Sequence, residues 1–360
     1  MKKTFSSAVM QLSVVTMLFM ACNKKDGILQ PPPPPVQQPD EGFFSIRLKA
    51  AITVGDVAYD SIPATFTITT WDANGIAQQK DTALDAGGQI IYLPKKAARY
   101  SLKLNKWGVT DEKILNKADM TEGALYQLGG HKEARKLQWV NEYTWANGVY
   151  TLTAKQHFEY DADGRVIEVH HYGLDPYSGA LHSGSSDIFL YGNNELWVNS
   201  TSKTDGAVWS HNVYKFDAQG RTIRSENKMN TQHLIYTNQY THEGIMMLEG
   251  INVAANNPRV ELRYAGGNRV EEKTIIPGYT TTIKNFRYDF NINPYAIIKI
   301  PSLYFEHNSK NNVVAERWEG NDQLVYEYKY DADGYVTEVT TQGRANNGQF
   351  VNGSKIVYTY

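Results

Sequence analysis

The chain has 360 residues, a formal net charge of −2 at pH 7, 41% hydrophobic residues and one cysteine. Its charges are nearly balanced and interspersed, which argues against nucleic acid as a partner, since phosphate binding needs a concentrated basic face. One cysteine rules out an intramolecular disulfide framework.

The first twenty-two residues have the three parts of an export signal. Lys2 and Lys3 form a positive start, and an apolar run extends from Ala8 to Met20. Ala21, a small residue, stands just before Cys22. That run is shorter than the roughly 20 apolar residues a spanning helix needs, so it reads as a signal peptide over residues 1–21. Loss of Lys2 and Lys3 with the signal would take the formal charge from −2 to about −4. Leu18-Phe19-Met20-Ala21-Cys22 resembles the bacterial lipobox, with Cys22 as the acylated residue. This resemblance implies a membrane anchor through lipid on Cys22. Asn23 rather than aspartate follows the cysteine, which implies delivery to the outer membrane, facing the periplasm or the surface.

Residues 22–42 read as a lipid-anchored spacer. Six of the chain's 13 prolines fall between Pro31 and Pro39, and such a tract favours an extended polyproline helix over a packed core. The remaining residues, roughly 320, suffice to bury a substantial core in two domains.

Residues 43–130 read as short strands separated by turns. Ser45–Lys49, Thr65–Thr69 and Tyr100–Leu104 alternate apolar and polar residues, Gln89–Leu93 is apolar up to Pro94, and Asn74-Gly75 suits a tight hairpin. About seven strands predict a small β-sandwich of the immunoglobulin-like or transthyretin-like kind. Glu112–Met120 is the best helix candidate.

Residues 138–360 contain a repeat. Tyr160-Asp161-Ala162-Asp163-Gly164-Arg165 recurs as Phe216-Asp217-Ala218-Gln219-Gly220-Arg221 and as Tyr330-Asp331-Ala332-Asp333-Gly334-Tyr335. Looser copies start at Tyr240, Tyr264 and Tyr288, a spacing that marks one supersecondary unit per copy. In each clear copy the aspartate (Asp161, Asp217, Asp331) can accept from backbone amides. The glycine (Gly164, Gly220, Gly334) can take the left-handed conformation that releases the next strand. Phe158, Tyr214 and Phe286 stand two residues before their turn aromatics and predict an aromatic ladder on one face. At about twelve residues per strand with its turn, the region predicts roughly 14–18 antiparallel strands that curl or close, broken by the prolines at Pro294 and Pro301.

These Tyr-Asp-x-x-Gly-Arg units resemble the YD repeats of Rhs-type shell proteins. The whole layout is similar to a class of bacterial lipoproteins with a porin-like β-meander of unknown function. That resemblance implies a scaffold or binding role with no catalytic residues.

Other constellations read as structure. Fitted to an EF-hand frame on Gly164, the position of the bidentate glutamate falls on His170, and in the third copy on Thr340, so the turns do not make calcium loops. His170 and His171 are adjacent and point to opposite faces of a strand. His157 on the preceding strand can reach one of them, and it reads as a cross-strand pair rather than a zinc ligand. HExxH, GxSxG, Walker and GxGxxG motifs do not occur. The sequence therefore predicts an all-β, membrane-anchored, non-catalytic binding or scaffold lipoprotein without cofactor or metal. Its expected partner is a glycan or another envelope protein. A glycan-binding surface lipoprotein, with Trp197, Trp209 and Trp318 exposed together, and a carbohydrate-active hydrolase are the alternatives.

Overall fold

The computed structural model describes residues 42–360 apart from 176–177, 219–220, 230–231, 241–244, 252–258, 299, 301–308 and 319. The expected signal peptide, Cys22 and the expected spacer as far as residue 41 lie outside the described residues, as does Gly220.

Eight strands come first: β1 (Phe43–Val54), β2 (Val57–Asp60), β3 (Ala64–Trp71), β4 (Ala77–Leu84), β5 (Gln89–Pro94), β6 (Arg99–Lys106), β7 (Val109–Asn116) and β8 (Leu125–Lys132). They form two four-stranded sheets. In one, β1 lies between β2 and β5 and also takes β8 in parallel; the other runs β4-β3-β6-β7. Alternation explains the arrangement. Ile46, Leu48, Ala50, Ile52 and Val54 all lie on one buried face of β1, and they meet Phe66, Leu102 and Leu104 of the other sheet in a shared core. The helix expected over Glu112–Met120 is not there. Glu112–Asn116 completes β7, whose ladder with β6 runs from Val109 to Asn116, and a single 3-10 turn follows at Lys117–Asp119. Cross-strand pairing of a segment with one buried anchor, Leu115, outweighs a weak helical period.

Sixteen strands follow, beginning with β9 (Trp139–Ala146), β10 (Val149–Tyr160), β11 (Val166–Leu174), β12 (Leu181–Tyr191), β13 (Glu195–Ser202), β14 (Val208–Phe216), β15 (Thr222–Met229) and β16 (Gln232–Tyr240). The second half comprises β17 (Ile245–Ile251), β18 (Arg259–Ala265), β19 (Asn268–Ile275), β20 (Thr282–Tyr288), β21 (Val313–Trp318), β22 (Asn321–Tyr330), β23 (Val336–Arg344) and β24 (Phe350–Thr359). Each strand pairs antiparallel with the next, and β24 pairs with β9, so the ladder of this long sheet returns to its start as a ring.

One face of the ring is apolar near the turn end. Phe158, Val169, Phe189, Leu196, Val198, Tyr214, Val339 and Tyr358 form its buried cluster. Phe286 is buried as well, so the three residues of the expected ladder all face inward. Even-numbered strands from β10 to β22 end on or beside an aromatic. The period of 24 places Tyr240, Tyr264 and Tyr288 at the ends of β16, β18 and β20. Tyr191, closing β12, is a further copy that the sequence pattern did not show, because Gly192-Asn193-Asn194 replaces the Asp-x-x-Gly turn. These tyrosines share a contact. Tyr160 donates to the Leu137 carbonyl (2.7 Å), Tyr191 to that of Val166 (2.8 Å) and Tyr288 to that of Arg269 (2.5 Å). Burial pushes the Tyr191 phenol up to about 12, which keeps it a donor at neutral pH.

The prolines' break is the segment between β20 and β21. Its Ile298 belongs to the interior cluster, with Tyr295 and Ile300 packed against it. Asp289 anchors the segment by accepting from the backbone amides of Asn291 and Asn312 (3.0 Å each) and from the Tyr330 hydroxyl. Ile292 and Tyr335, both from the ring half of the chain, are buried in the core of the two-sheet part instead. Residues 42–360 thus pack as one unit.

Candidate functional site

The first and third repeat turns position polar groups beside the seam between the two parts. In the first turn, Asp161 Oδ1 accepts from the Arg165 amide (2.8 Å) and Oδ2 from Arg165 Nε (2.7 Å). Gly164 closes the loop at a φ of +76°, donating to the Asp161 carbonyl (3.1 Å). Asp217 repeats this clamp on Arg221, with an amide contact of 2.9 Å and an Nε contact of 2.7 Å. In the third turn Asp331 accepts from the Tyr335 amide (2.9 Å), and Gly334 sits at a φ of +81°. These turn carboxylates are used up by backbone amides and guanidinium groups.

Tyr335 stands where the other copies have arginine. Its ring enters the core of the two-sheet part, and the missing guanidinium comes from Arg135, in the connection between β8 and β9. Arg135 donates to Asp331 (2.7 Å) and also pairs with Asp333. Beside it, Lys132 Nζ donates to the carbonyls of Trp107 (2.9 Å) and Asp333 (2.6 Å). Burial draws the Lys132 amine below its ordinary range, partly offset by Asp333.

Two clefts flank this seam. One, of about 350 Å³, is lined by Asp56, His131, Glu133, Lys136, Tyr160 and Asp163 among others. The second, of about 450 Å³, lies between the Asn105–Gly108 turn and the third repeat turn, with Lys106, Trp107, Asn291 and Tyr330 on its walls. Burial lowers the Lys106 amine. Their linings mix both charge signs with aromatic faces, which suits polar ligands or the loops of a partner.

Trp197, Trp209 and Trp318 are all partly exposed, at 39%, 42% and 38%. They do not form one platform: β13, which carries Trp197, and β21, which carries Trp318, are eight places apart in the ring of sixteen. Trp197 instead meets the edge of the His211 ring (5.2 Å), and Lys284 lies over Trp318.

The ring's outward face carries ion pairs on many of its strands. Residues alternating with buried Val169, Tyr214, Leu262, Phe286 and Val339 face out, and ion pairs form among outward side chains both across strands and along them. Lys203 meets Glu168 (2.9 Å), Arg224 meets Glu226 (2.8 Å) and Lys273 meets Glu261 (3.2 Å). On the far side Arg287 meets Asp322 (2.7 Å) and Lys329 meets Glu338 (2.7 Å). Leu190, Trp197 and Ile283 are exposed apolar residues set among these charges.

No protein-family model and no curated protein matches the sequence. Among solved structures, a porin-like protein from Bacteroides uniformis is 11% identical with a TM-score of 0.47, covering 62% of this chain and 98% of that one. A porin-like protein from Bacteroides vulgatus is 10% identical with a TM-score of 0.39, covering 61% and 97% respectively.

Proposed function

We propose that the chain is an outer-membrane lipoprotein, anchored through Cys22, whose β body faces water and serves as a non-catalytic binding or scaffold module. The observation that supports this most is the ionic outer face of the ring. A barrel that spans a bilayer by its strands needs an outward apolar band about 25 Å tall between aromatic girdles. Here outward positions on strands between β11 and β23 carry ion pairs, and an apolar cluster that includes Phe158, Val169, Phe189 and Leu196 lies on the interior face. Immersing those pairs in hydrocarbon would cost several kcal/mol per charge, so tethering by lipid is the attachment that fits.

The turns, which share one aspartate clamp, are read as YD-type repeats, and the two four-stranded sheets around a single core as an immunoglobulin- or transthyretin-like sandwich. The clefts at the seam are the surfaces offered to a partner, a glycan or another envelope protein. The experiment is membrane fractionation with intact-mass measurement of wild type and Cys22→Ser. Wild type carries acyl mass and pellets with the outer membrane, whereas the variant is folded and soluble. A variant that pellets like wild type, with no acyl mass on either, overturns the reading.

A further inference from the structure

The outward face of the β10–β11 hairpin brings together side chains of a different kind. Strand β10 carries His157-Phe158-Glu159 and β11 carries Glu168-Val169-His170. In the ladder His157 lies opposite His170, Phe158 opposite Val169, and Glu159 opposite Glu168. Phe158 and Val169 are buried in the ring interior, so both histidines and both glutamates project from the outer face as two direct cross-strand pairs. We propose that His157, Glu159 and His170 form a binding site for one zinc-like divalent cation, with Glu168 as the positioning residue behind His170.

The chemistry of the set is that of a three-ligand zinc centre, two imidazoles and a carboxylate with one coordination position left to water. One ligand atom from each residue already lies within 4.8 Å of the other two. Tetrahedral zinc with bonds of roughly 2.0–2.1 Å needs ligand atoms about 3.4 Å apart. Side-chain rotation on strands already in register supplies that closure. The two imidazole rings lie parallel, 10° apart with centroids separated by 5.7 Å.

Two further contacts distinguish this cluster from an exposed histidine. His170 presents Nε2 to Glu159 (2.8 Å) and Nδ1 to Glu168 (3.2 Å). A histidine that ligates a metal through one nitrogen and gives its other N–H to a carboxylate has its tautomer and ring direction fixed. Glu168 is itself held by Lys203 Nζ (2.9 Å). His157 is held from its other side by Trp139, whose ring centroid is 4.3 Å away at 30°. His171 takes no part: it faces inward and bonds Asp187 (3.0 Å), which in turn accepts from Ser200 (2.6 Å). A cation here would bridge β10 and β11 and leave its open position facing solvent on the outer surface of the ring.

The test is isothermal titration of the purified protein with zinc sulfate, paired with the visible spectrum after cobalt(II) loading. Wild type is expected to take up one equivalent, to show the intense absorption of four-coordinate cobalt, and to melt at a higher temperature with zinc than without. His157→Ala, His170→Ala and Glu159→Gln should each weaken binding by about tenfold or more, and Glu168→Gln should weaken it less while shifting the cobalt spectrum. His182→Ala, outside the cluster, should bind like wild type. Apo-state melting shows which variants fold, and Glu159→Gln serves if a histidine variant does not. Zinc uptake unchanged in a folded His157→Ala/His170→Ala double variant, or no uptake by wild type, overturns the proposal.

Discussion

Arg135 donates to Asp331 across 2.7 Å and so supplies, from 196 residues away in sequence, the guanidinium that Arg165 and Arg221 supply locally to the first and second turns. The third turn thereby becomes the attachment point of the two-sheet part. Its own sixth residue, Tyr335, is free to enter that part's core, where it is 1% exposed beneath the charges of Lys132 and Arg135.

Arg135→Ala should therefore destabilise the protein by about 1 kcal/mol or somewhat more, the worth of a partly exposed charge-assisted pair. Tyr335→Arg restores the local arginine but should not rescue that loss. It removes a buried aromatic ring, at a cost of about 3 kcal/mol or more. Denaturant unfolding of the two single variants and the double variant checks both expectations.

The repeat glycines should differ in their tolerance of a side chain. Gly164→Val meets only the strain of a positive φ, for about 1–2 kcal/mol. Gly334→Val meets that strain and also drives a Cβ into the Trp107 indole, so it should cost distinctly more. Gly220→Val, whose neighbours Asp217 and Arg221 form the first turn's clamp again, should resemble Gly164→Val. Equal melting temperatures for Gly164→Val and Gly334→Val would remove the packing role of the third turn.

Acid should weaken the β20–β22 sector through Asp322. The Arg317 side chain, followed by the nearby Arg287 charge, holds this carboxyl below its ordinary range despite slight desolvation. A depressed folded pKa contributes stability that is complete above the unfolded value, near 3.9, and is lost as pH falls through the lower folded value. The melting temperature of Asp322→Asn should accordingly fall less steeply than that of wild type below about pH 4. Parallel curves would mean that the pair contributes nothing.

A fragment from Leu137 to Tyr360 would keep every strand of the ring and lose the cover over Ile292 and Tyr335. It should remain β-rich by circular dichroism, melt below the whole protein and bind a hydrophobic dye more strongly. A fragment as stable as the whole protein would show that the seam adds no stability.

Much of the ring was legible from local sequence, because its contacts are local. The Asp-x-x-Gly turns, the inward aromatics Phe158, Tyr214 and Phe286, and a strand number within the expected range all follow from turn chemistry and a period of two. Long-range compensation was not legible. Nothing around Tyr335 indicates that Arg135 will stand in for the missing arginine. That His157 pairs across with one of the two adjacent histidines was legible, but a bulge decides that the partner is His170. Tyr160 lies opposite Val166, but the register shifts at Glu159, so counting outward from the turn would place His157 opposite Val169. Glu112–Asn116 has a weak helical period but is strand, because its ladder with β6 decides its conformation.

In the proposed arrangement the ring faces water on its outside. The most direct measurement of this is light scattering with size-exclusion chromatography on the Cys22→Ser protein in detergent-free buffer, followed by mixing with lipid vesicles. The expected result is a soluble, monodisperse protein that stays off the vesicles and confers no conductance on them. A protein that aggregates until detergent is added, and then inserts and conducts, would contradict it.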